Sequence, residues 1–324
     1  MNKEEFISEI EKIENNWDST IIEKGNQLYE LGKSMEYNTK QQEDCFVRAV
    51  NYYSSSTNEA CFCNLAHCYF LLARLFGINP EEYYRRSIEY HIKGSKSKKY
   101  QNEDFYKFYV INDDNIDSVL RTIRLTKPSS LNDPTDSPIA QNGLSNDIFP
   151  NKNVFDGLRV GCFGRIKGRY RAWEDSSMWS YYGDMHKGIC IRYRFFNNLV
   201  LEKTLLDKFI FNEIEYKEKF DFYRGIVADG FLTKNKAYEN ENEWRIVWYD
   251  RDFIHSSYYW SKDQNVYLPI GREYIYQIFI GCKTPHHLKQ VVVDYARGRN
   301  PEIPVMQIQP DNKNVFKLVG IQIN

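Results

Sequence analysis

No apolar run approaches the roughly 20 residues that a membrane-spanning helix needs, so no membrane span is expected from this sequence. The chain has no Gly-rich phosphate loop, no His-Glu-x-x-His, no Cys-x-x-Cys pair and no Gly-x-Ser-x-Gly elbow. It therefore lacks the usual signatures of nucleotide triphosphatases, zinc proteases, thiol oxidoreductases and serine hydrolases. Charge of one sign is also missing. There are 43 basic and 44 acidic residues, a net of −1, split as 13 and 15 over residues 1–100 and 30 and 29 over the rest. Neither part is a basic arm, and nucleic acid is not indicated as a partner. The seven cysteines are an odd number without framework spacing, so reduced thiols in a cytoplasm are expected. The opening residues Met1-Asn2-Lys3-Glu4-Glu5-Phe6 are charged and helix-forming, with no apolar segment behind them, so no secretory leader is expected.

What the chain does have is length and aromatic rings. Its 324 residues are enough for two full cores, and 25 Tyr and 20 Phe bring the aromatic share to 16%. Phe6, Ile10, Ile13 and Trp17 recur at helical spacing, and further helices are expected around 21–33, 41–54, 58–76 and 80–94. Asn79-Pro80-Glu81-Glu82 reads as an N-cap followed by a first-turn proline and two acids, and Gly77 stands where a helix ends. Small and large residues alternate through these helices in a rhyme: Leu28-Tyr29 with Gly32, Ala49 with Tyr52-Tyr53, Leu65-Ala66 with Tyr69. The rhyme is similar to degenerate tetratricopeptide or Sel1-type repeats, which implies a helical domain over 1–98 with a surface for a protein partner. Cys61, Cys63, His67 and Cys68 lie within it. Residues two apart on a helix diverge, so these four are read as packing rather than as metal ligands.

The polar stretch Gly94-Ser95-Lys96-Ser97-Lys98-Lys99 marks a boundary. Beyond it, strands are expected at 105–110, 124–126, 158–164, 189–193, 214–216, 274–280, 305–308 and 316–319. Helices are expected at 115–123, 176–182, 221–231 and 285–297, the last turning Val291 to Val293 inward. Strands with interspersed helices but no regular βαβ alternation define an α+β domain over 103–324.

The most unusual stretch is Glu239-Asn240-Glu241-Asn242-Glu243-Trp244-Arg245, continuing into Ile246-Val247-Trp248. Read as a strand, it places Glu239, Glu241, Glu243 and Arg245 on one face and Trp244 and Ile246 on the other. That face is either an exposed, charged edge or one wall of a polar cleft. Asn132-Asp133-Pro134 is either a turn or part of such a cleft. Trp179 and Tyr182, three apart on a helix, are either core or ligand-facing. His186 is either an exposed side chain or a base, and Arg245 is either a ligand grip or a structural ion-pair partner of Glu241 or Glu243 across its own face.

Four blocks occur in a fixed order. They are Tyr106-Lys107-Phe108-Tyr109 with Leu131-Asn132-Asp133-Pro134; Cys162-Phe163-Gly164; Met178-Trp179-Ser180-Tyr181-Tyr182-Gly183 with His186-Lys187-Gly188-Ile189; and Tyr238 with Glu241-Asn242-Glu243-Trp244-Arg245. This order resembles the bacterial domain of unknown function 2971 family over residues 103–324. It departs from that pattern at Gly164, where the family tends to have Ser, at Thr135, where it has an aromatic, and at Tyr238, where it often has Trp.

The motif order also resembles that of ADP-ribosyltransferase domains, in which a late-strand Glu touches the nicotinamide ribose of NAD. The resemblance implies NAD as a substrate and an effector of toxin or phage-defence type. It implies Glu243 as the residue serving the sugar, Glu241 as the one positioning or deprotonating an acceptor, and Arg245 as a grip on a carboxylate or phosphate. Lys107 would reach the pyrophosphate, Tyr109, Trp179 and Tyr182 would stack on a base, and Asn132, Asp133 and His186 would complete the nucleotide pocket. Two other readings stay open: a non-catalytic module binding a nucleotide or peptide, and a nuclease gathering Asp133, Asp136, Glu241 and Glu243 around Mg²⁺.

Overall fold

The computed structural model of the chain describes residues 1–36, 38–95, 103–131, 136, 157–165, 171–195, 209–219, 230–250, 260–262, 265–298, 302–315 and 317–324. The expected helix at 221–231 therefore lies largely outside the described residues.

The chain opens with five helices: α1 (Lys3–Glu14), α2 (Ile21–Ser34), α3 (Lys40–Ser54), α4 (Phe62–Phe76) and α5 (Pro80–Gly94). Reciprocal side-chain and backbone bonds of Asn2 with Glu5, and of Thr20 with Glu23, start the first two. α2 packs on α3 and α4 on α5 as helical hairpins. The small-to-large rhyme is a packing device: a Cβ on Gly32 would meet the Phe46 ring at 2.8 Å. Two local expectations are corrected. Trp17 lies beyond the end of α1 and is 93% exposed, so it does not extend the buried stripe. Asn79 has φ of 39° and makes no side-chain cap bond; the helix start rests on Pro80, whose ring fixes a helical φ.

Among the described residues the second part carries thirteen strands. They are β1 (Glu103–Tyr109), β2 (Thr122–Leu125), β3 (Leu158–Arg165), β4 (Ile189–Phe195), β5 (Phe209–Glu213), β6 (Glu215–Lys217), β7 (Thr233–Asn235), β8 (Glu243–Tyr249), β9 (Trp260–Lys262), β10 (Asn265–Pro269), β11 (Ile275–Ile280), β12 (Val305–Pro310) and β13 (Leu318–Gln322). Among the described residues three further helices accompany them: α6 (Ile116–Arg121), α7 (Ser176–Tyr181) and α8 (His286–Arg297). Eight strands form one mixed sheet in the order β13-β12-β11-β4-β1-β3-β8-β5; β2-β10-β9 and β6-β7 are small satellites. Helices at the N-terminus followed by a large mixed sheet make the chain α+β.

One face of the large sheet carries Phe105, Phe163, Ile191, Trp244, Ile246 and Trp248 and is covered by α6, α8 and the β2-β10 pair. On α8, Val292 and Val293 are buried and Val291 is 42% exposed, so the inward face is narrower than expected. The opposite face is covered in two pieces. Over β1, β4 and β11 lie Trp173 and Trp179. Over β3, β5 and β8, Leu158, Val160, Ile210, Val247 and Tyr249 belong to the same apolar cluster as Leu28, Phe46, Tyr69 and Tyr84 of the helical block. The helical block and this side of the sheet share one core.

The sheet is forked at its centre. β1 pairs with β4 over all seven residues from Glu103 to Tyr109, and β3 pairs with β8 over seven, from Leu158 to Gly164. β1 and β3 pair only at Phe105–Arg165 and Tyr106–Gly164. Beyond that point the edge of β3 is taken by Thr126, whose N–H and C=O exchange bonds of 2.9 and 2.8 Å with Val160. Leu125 is the wedge. A Cβ on Gly161 would lie 2.4 Å from its Cδ2, so the missing side chain is what admits it.

Candidate functional site

A cavity of about 230 Å³ occupies the fork. Both faces of the parted strands contribute, with Tyr106 to Val110 on one side and Val160, Cys162, Phe163 and Gly164 on the other. Met178, Tyr181 and Tyr182 close it from α7 and its end. The turn after α7 is tied down tightly. Asp184, Met185 and His186 are three successive left-handed residues, at φ 48°, 49° and 71°. Backbone bonds from Gly281 to Gly188 and from Lys283 to His186 clamp this turn to the end of β11.

One end of the cavity is a buried lattice of charges. Glu243 and Arg245 share a face of β8, and Arg245 Nε donates to Glu243 Oε1 at 2.7 Å. Both Arg245 terminal nitrogens donate to Asp136, at 2.9 Å each, and one also to the Phe231 carbonyl at 3.0 Å. Lys234 Nζ lies 2.6 Å from Glu241, 3.2 Å from Glu243 and 3.7 Å from Asp136. Tyr182 O–H donates to the other Glu241 oxygen at 2.9 Å, and Tyr216 O–H sits 2.8 Å from the Glu243 backbone N–H, which donates to it.

The charge states follow from this geometry. Burial alone would raise the Glu243 carboxyl, but the charges of Arg245 and Lys234 outweigh it and draw it down to about 2. Glu241 is shifted the other way: burial raises it, and Lys234 only partly offsets the rise. Lys234 would be lowered by burial, yet the Glu243 and Glu241 charges lift it well above the ordinary lysine range. Two neighbouring carboxylates thus differ: Glu243 is firmly ionised, and Glu241 is the one that takes a proton more readily.

Several expectations are corrected here. The strand begins at Glu243, not Glu239: residues Lys236–Glu241 form a 3₁₀ turn, and Asn242, at φ 45°, swings the chain into β8. Glu241 reaches Glu243 from that turn rather than along a strand face, and Glu239 is exposed. β8 is an interior strand, buried along its whole length, and no charged edge. Arg245 is fully buried and held by Asp136, Glu243 and a carbonyl. It positions those groups and is not a grip for a ligand.

Trp179 is also fully buried, its Nε1 donating to the Trp173 carbonyl at 2.8 Å, and it does not line the cavity. His186 stacks on Trp179 with a centroid distance of 6.1 Å and is likewise absent from the cavity wall. Lys107, Tyr109, Tyr182, Glu241 and Glu243 do meet there. Asn132 and Asp133 lie outside the described residues.

The gathering of Asp136, Glu241 and Glu243 expected around Mg²⁺ does occur, but the Lys234 ammonium stands between the carboxylates where a divalent cation would sit. Among the described residues no group of three or more His, Cys, Asp or Glu is arranged to hold a metal ion. In the helical block, His67 Nδ1 bonds the Tyr29 hydroxyl at 2.6 Å, and Cys61 and Cys68 are buried in the core.

Lys234 is a site residue that the sequence barely signals: it is a lysine in a short β-propensity run, Phe231-Leu232-Thr233-Lys234, just ahead of the Glu-rich stretch. Cys162 also joins the site. Its thiol donates to Glu243 and burial pushes it up to about 12, so it serves as a donor and not as a thiolate nucleophile.

Comparison of the chain with profiles of known protein families, with curated proteins and with solved structures returned no match. Among the described residues no helix is long and apolar enough to cross a membrane.

Proposed function

We propose that the protein is an ADP-ribosyltransferase-like enzyme that cleaves the nicotinamide–ribose bond of NAD, with the helical block docking a protein partner. The observation that carries this reading is the pair of carboxylates in opposite protonation regimes at the end of a cleft in a forked, aromatic-lined sheet. The motif order that resembles the domain of unknown function 2971 family and ADP-ribosyltransferase domains points the same way, as analogy only.

In this reading the C1′–N bond breaks and its electron pair leaves with nicotinamide, building positive charge on the ribose. Glu243, held ionised by Arg245 and Lys234, faces that charge. Each carboxylate oxygen has two acceptor sites, so Glu243 retains room for a ribose hydroxyl beside its bonds to Arg245, Lys234 and Cys162. The acceptor then forms a bond to C1′ and releases its proton to Glu241, whose raised basicity suits a general base. Tyr109 and Tyr182 supply ring faces in the cavity wall. The enclosed volume is below the ~300–1,000 Å³ of sites for drug-sized ligands. It fits a ring and a sugar, with the rest of the dinucleotide lying outward.

One observation favours the alternative, a non-catalytic binding module: every carboxylate oxygen of Glu241 and Glu243 already accepts a bond from within the protein. Nicotinamide release from NAD, measured with wild type, Glu243→Gln and Glu241→Gln, separates the two. Release by wild type, lost by at least a hundredfold in folded Glu243→Gln, supports the enzyme. No release with intact NAD binding supports the module, and neither release nor binding overturns both readings.

A further inference from the structure

The end of the cavity away from the carboxylates has the opposite chemistry. Glu241 and Glu243 lie at the Gly164 end, since Glu243 pairs with Gly164 and a Cβ on Gly164 would approach the Glu241 carbonyl at 3.7 Å. Thr126 bridges Val160, four residues along β3, on the order of 13 Å away at strand rise. Around that end the lining residues are Arg124, Thr126 and Ser130, with Lys107 between the poles.

These side chains are under-used. Arg124, exposed on β2, makes no hydrogen bond or ion pair with any described residue, and the Thr126 and Ser130 hydroxyls have no side-chain partner among them. Lys107 donates one bond, to the Cys162 carbonyl at 3.1 Å, and otherwise lies over the Tyr109 and Phe163 rings at 5.5 and 5.2 Å. No carboxylate of the described residues is within ion-pair reach of it. By contrast Lys234, in the cavity wall, and Arg245, buried beside it, are held by carboxylates. Two cations and two hydroxyls thus line this end of the cavity with no carboxylate of the described residues bonded to them, an arrangement that suits an anion. Burial, and to a lesser degree the Arg124 charge, act against the Lys107 ammonium; Glu243 offsets them only in part, and the group is drawn down to about 8.

We propose that Lys107, Arg124, Thr126 and Ser130 form an anion subsite for a diphosphate group at the outer end of the cleft. A guanidinium fork, an ammonium and two hydroxyls match a multi-oxygen anion better than a single carboxylate. As the address for a dinucleotide's diphosphate the subsite rests on the NAD reading; as an anion site it stands on its own contacts. It makes the ligand a phosphorylated nucleotide and not a nucleoside.

The test is calorimetric titration with inorganic pyrophosphate at constant ionic strength, using wild type, Lys107→Met, Arg124→Gln and Glu241→Gln. Arg124→Gln is an exposed change and keeps the test clear of folding defects. Wild type should bind pyrophosphate, and Lys107→Met and Arg124→Gln should each weaken it by about tenfold or more, the loss of one charge-assisted bond. Glu241→Gln, at the other pole, should bind at least as well as wild type. No binding by wild type, or binding by Arg124→Gln and Lys107→Met as tight as that of wild type, overturns the subsite. Pyrophosphate binding without nicotinamide release from NAD keeps the subsite and removes the NAD reading. NAD cleavage with an unchanged KM in both cation variants keeps the reading and removes the subsite.

Discussion

Replacing Lys234 by Met takes the central ammonium out of the buried lattice and leaves three carboxylates facing one guanidinium. Arg245 still holds both Asp136 oxygens and one Glu243 oxygen, so these two acids stay partly compensated. Glu241 loses the one cation it touches among the described residues. Removing one partner from a buried ion pair costs about 3–5 kcal/mol, because the remaining charge is left desolvated, and that is the loss expected at pH 7. Glu241 is already raised above its ordinary value by burial, and without Lys234 it rises further. Acid then relieves the variant: as the pH falls toward 5, Glu241 protonates in the folded state and the deficit shrinks by about 1 kcal/mol or more, the worth of roughly one pH unit of linked protonation.

Wild type moves in the other direction at lower pH. The Glu243 carboxyl has its folded value lowered to about 2 from 4.5. Its stabilisation, on the order of 3 kcal/mol, is present above 4.5 and is lost as the pH falls through 2. Urea unfolding followed by tryptophan fluorescence at pH 7 and pH 5, on wild type, Lys234→Met and Lys234→Arg, measures the difference. Lys234→Arg keeps the charge and should lose less than half as much. A deficit under about 1 kcal/mol at pH 7, well short of a broken buried pair, or a deficit equal at both pH values, would refute the view that Lys234 compensates Glu241.

Three further outcomes are expected. Gly188→Ala should cost about 3 kcal/mol, at the upper end for overpacking, because its Cβ would lie 2.1 Å from the Tyr109 backbone oxygen; Gly77→Ala, with open space but φ of +60°, should cost only the left-handed strain of about 1 kcal/mol, and urea midpoints compare the two. Met185→Gly should raise the melting temperature, corresponding to about 0.5–1 kcal/mol, since Met185 is 58% exposed and sits at φ 49°. Lys107→Met should melt higher than wild type below pH 8; the Lys107 ammonium is disfavoured by burial, its folded value is about 8 against 10.5, and so the gain should fade as the pH rises from 8 to 10.5, read by melting curves across that range.

The helices are legible in the sequence because their apolar stripes, caps and glycines are local. Residues 21–33, 41–54 and 80–94 fall within one residue of the observed ends, and Gly77 takes the left-handed cap expected of it. Asn79 misleads because asparagine serves both as a cap and as a left-handed residue. The Glu-rich stretch does mark the site, but its alternation misleads about geometry. Alternating charges look like a strand face, whereas Asn242 bends the chain and Glu241 arrives from a turn. Asp136 and Lys234 are harder still: Asp136 reaches Arg245 across 109 residues of chain, and Lys234, though only nine residues ahead of Glu243, meets it from the separate strand β7, so nothing local to either residue signals the meeting. Trp179 shows the converse, a residue whose place in a distinctive motif invites a functional role while its indole is spent on the core.

The fork in the sheet has a consequence for packing. On one face its two arms are backed differently, β1 and β4 by the Trp173 and Trp179 cluster and β3, β8 and β5 by the helical block, while on the other face both arms share the core around Phe105, Phe163 and Trp244. Past the last backbone pair, the Tyr182–Glu241 and Lys107–Cys162 bonds tie one arm to the other by side chains. The gap is therefore bridged by side chains and backed by a shared core, and β8 runs from the closed end of the fork to the helical block. Its outer residues Val247 and Tyr249 are seated under the helices and its inner residue Glu243 is in the grip. One strand thus belongs at once to the core of the helical block and to the wall of the gap.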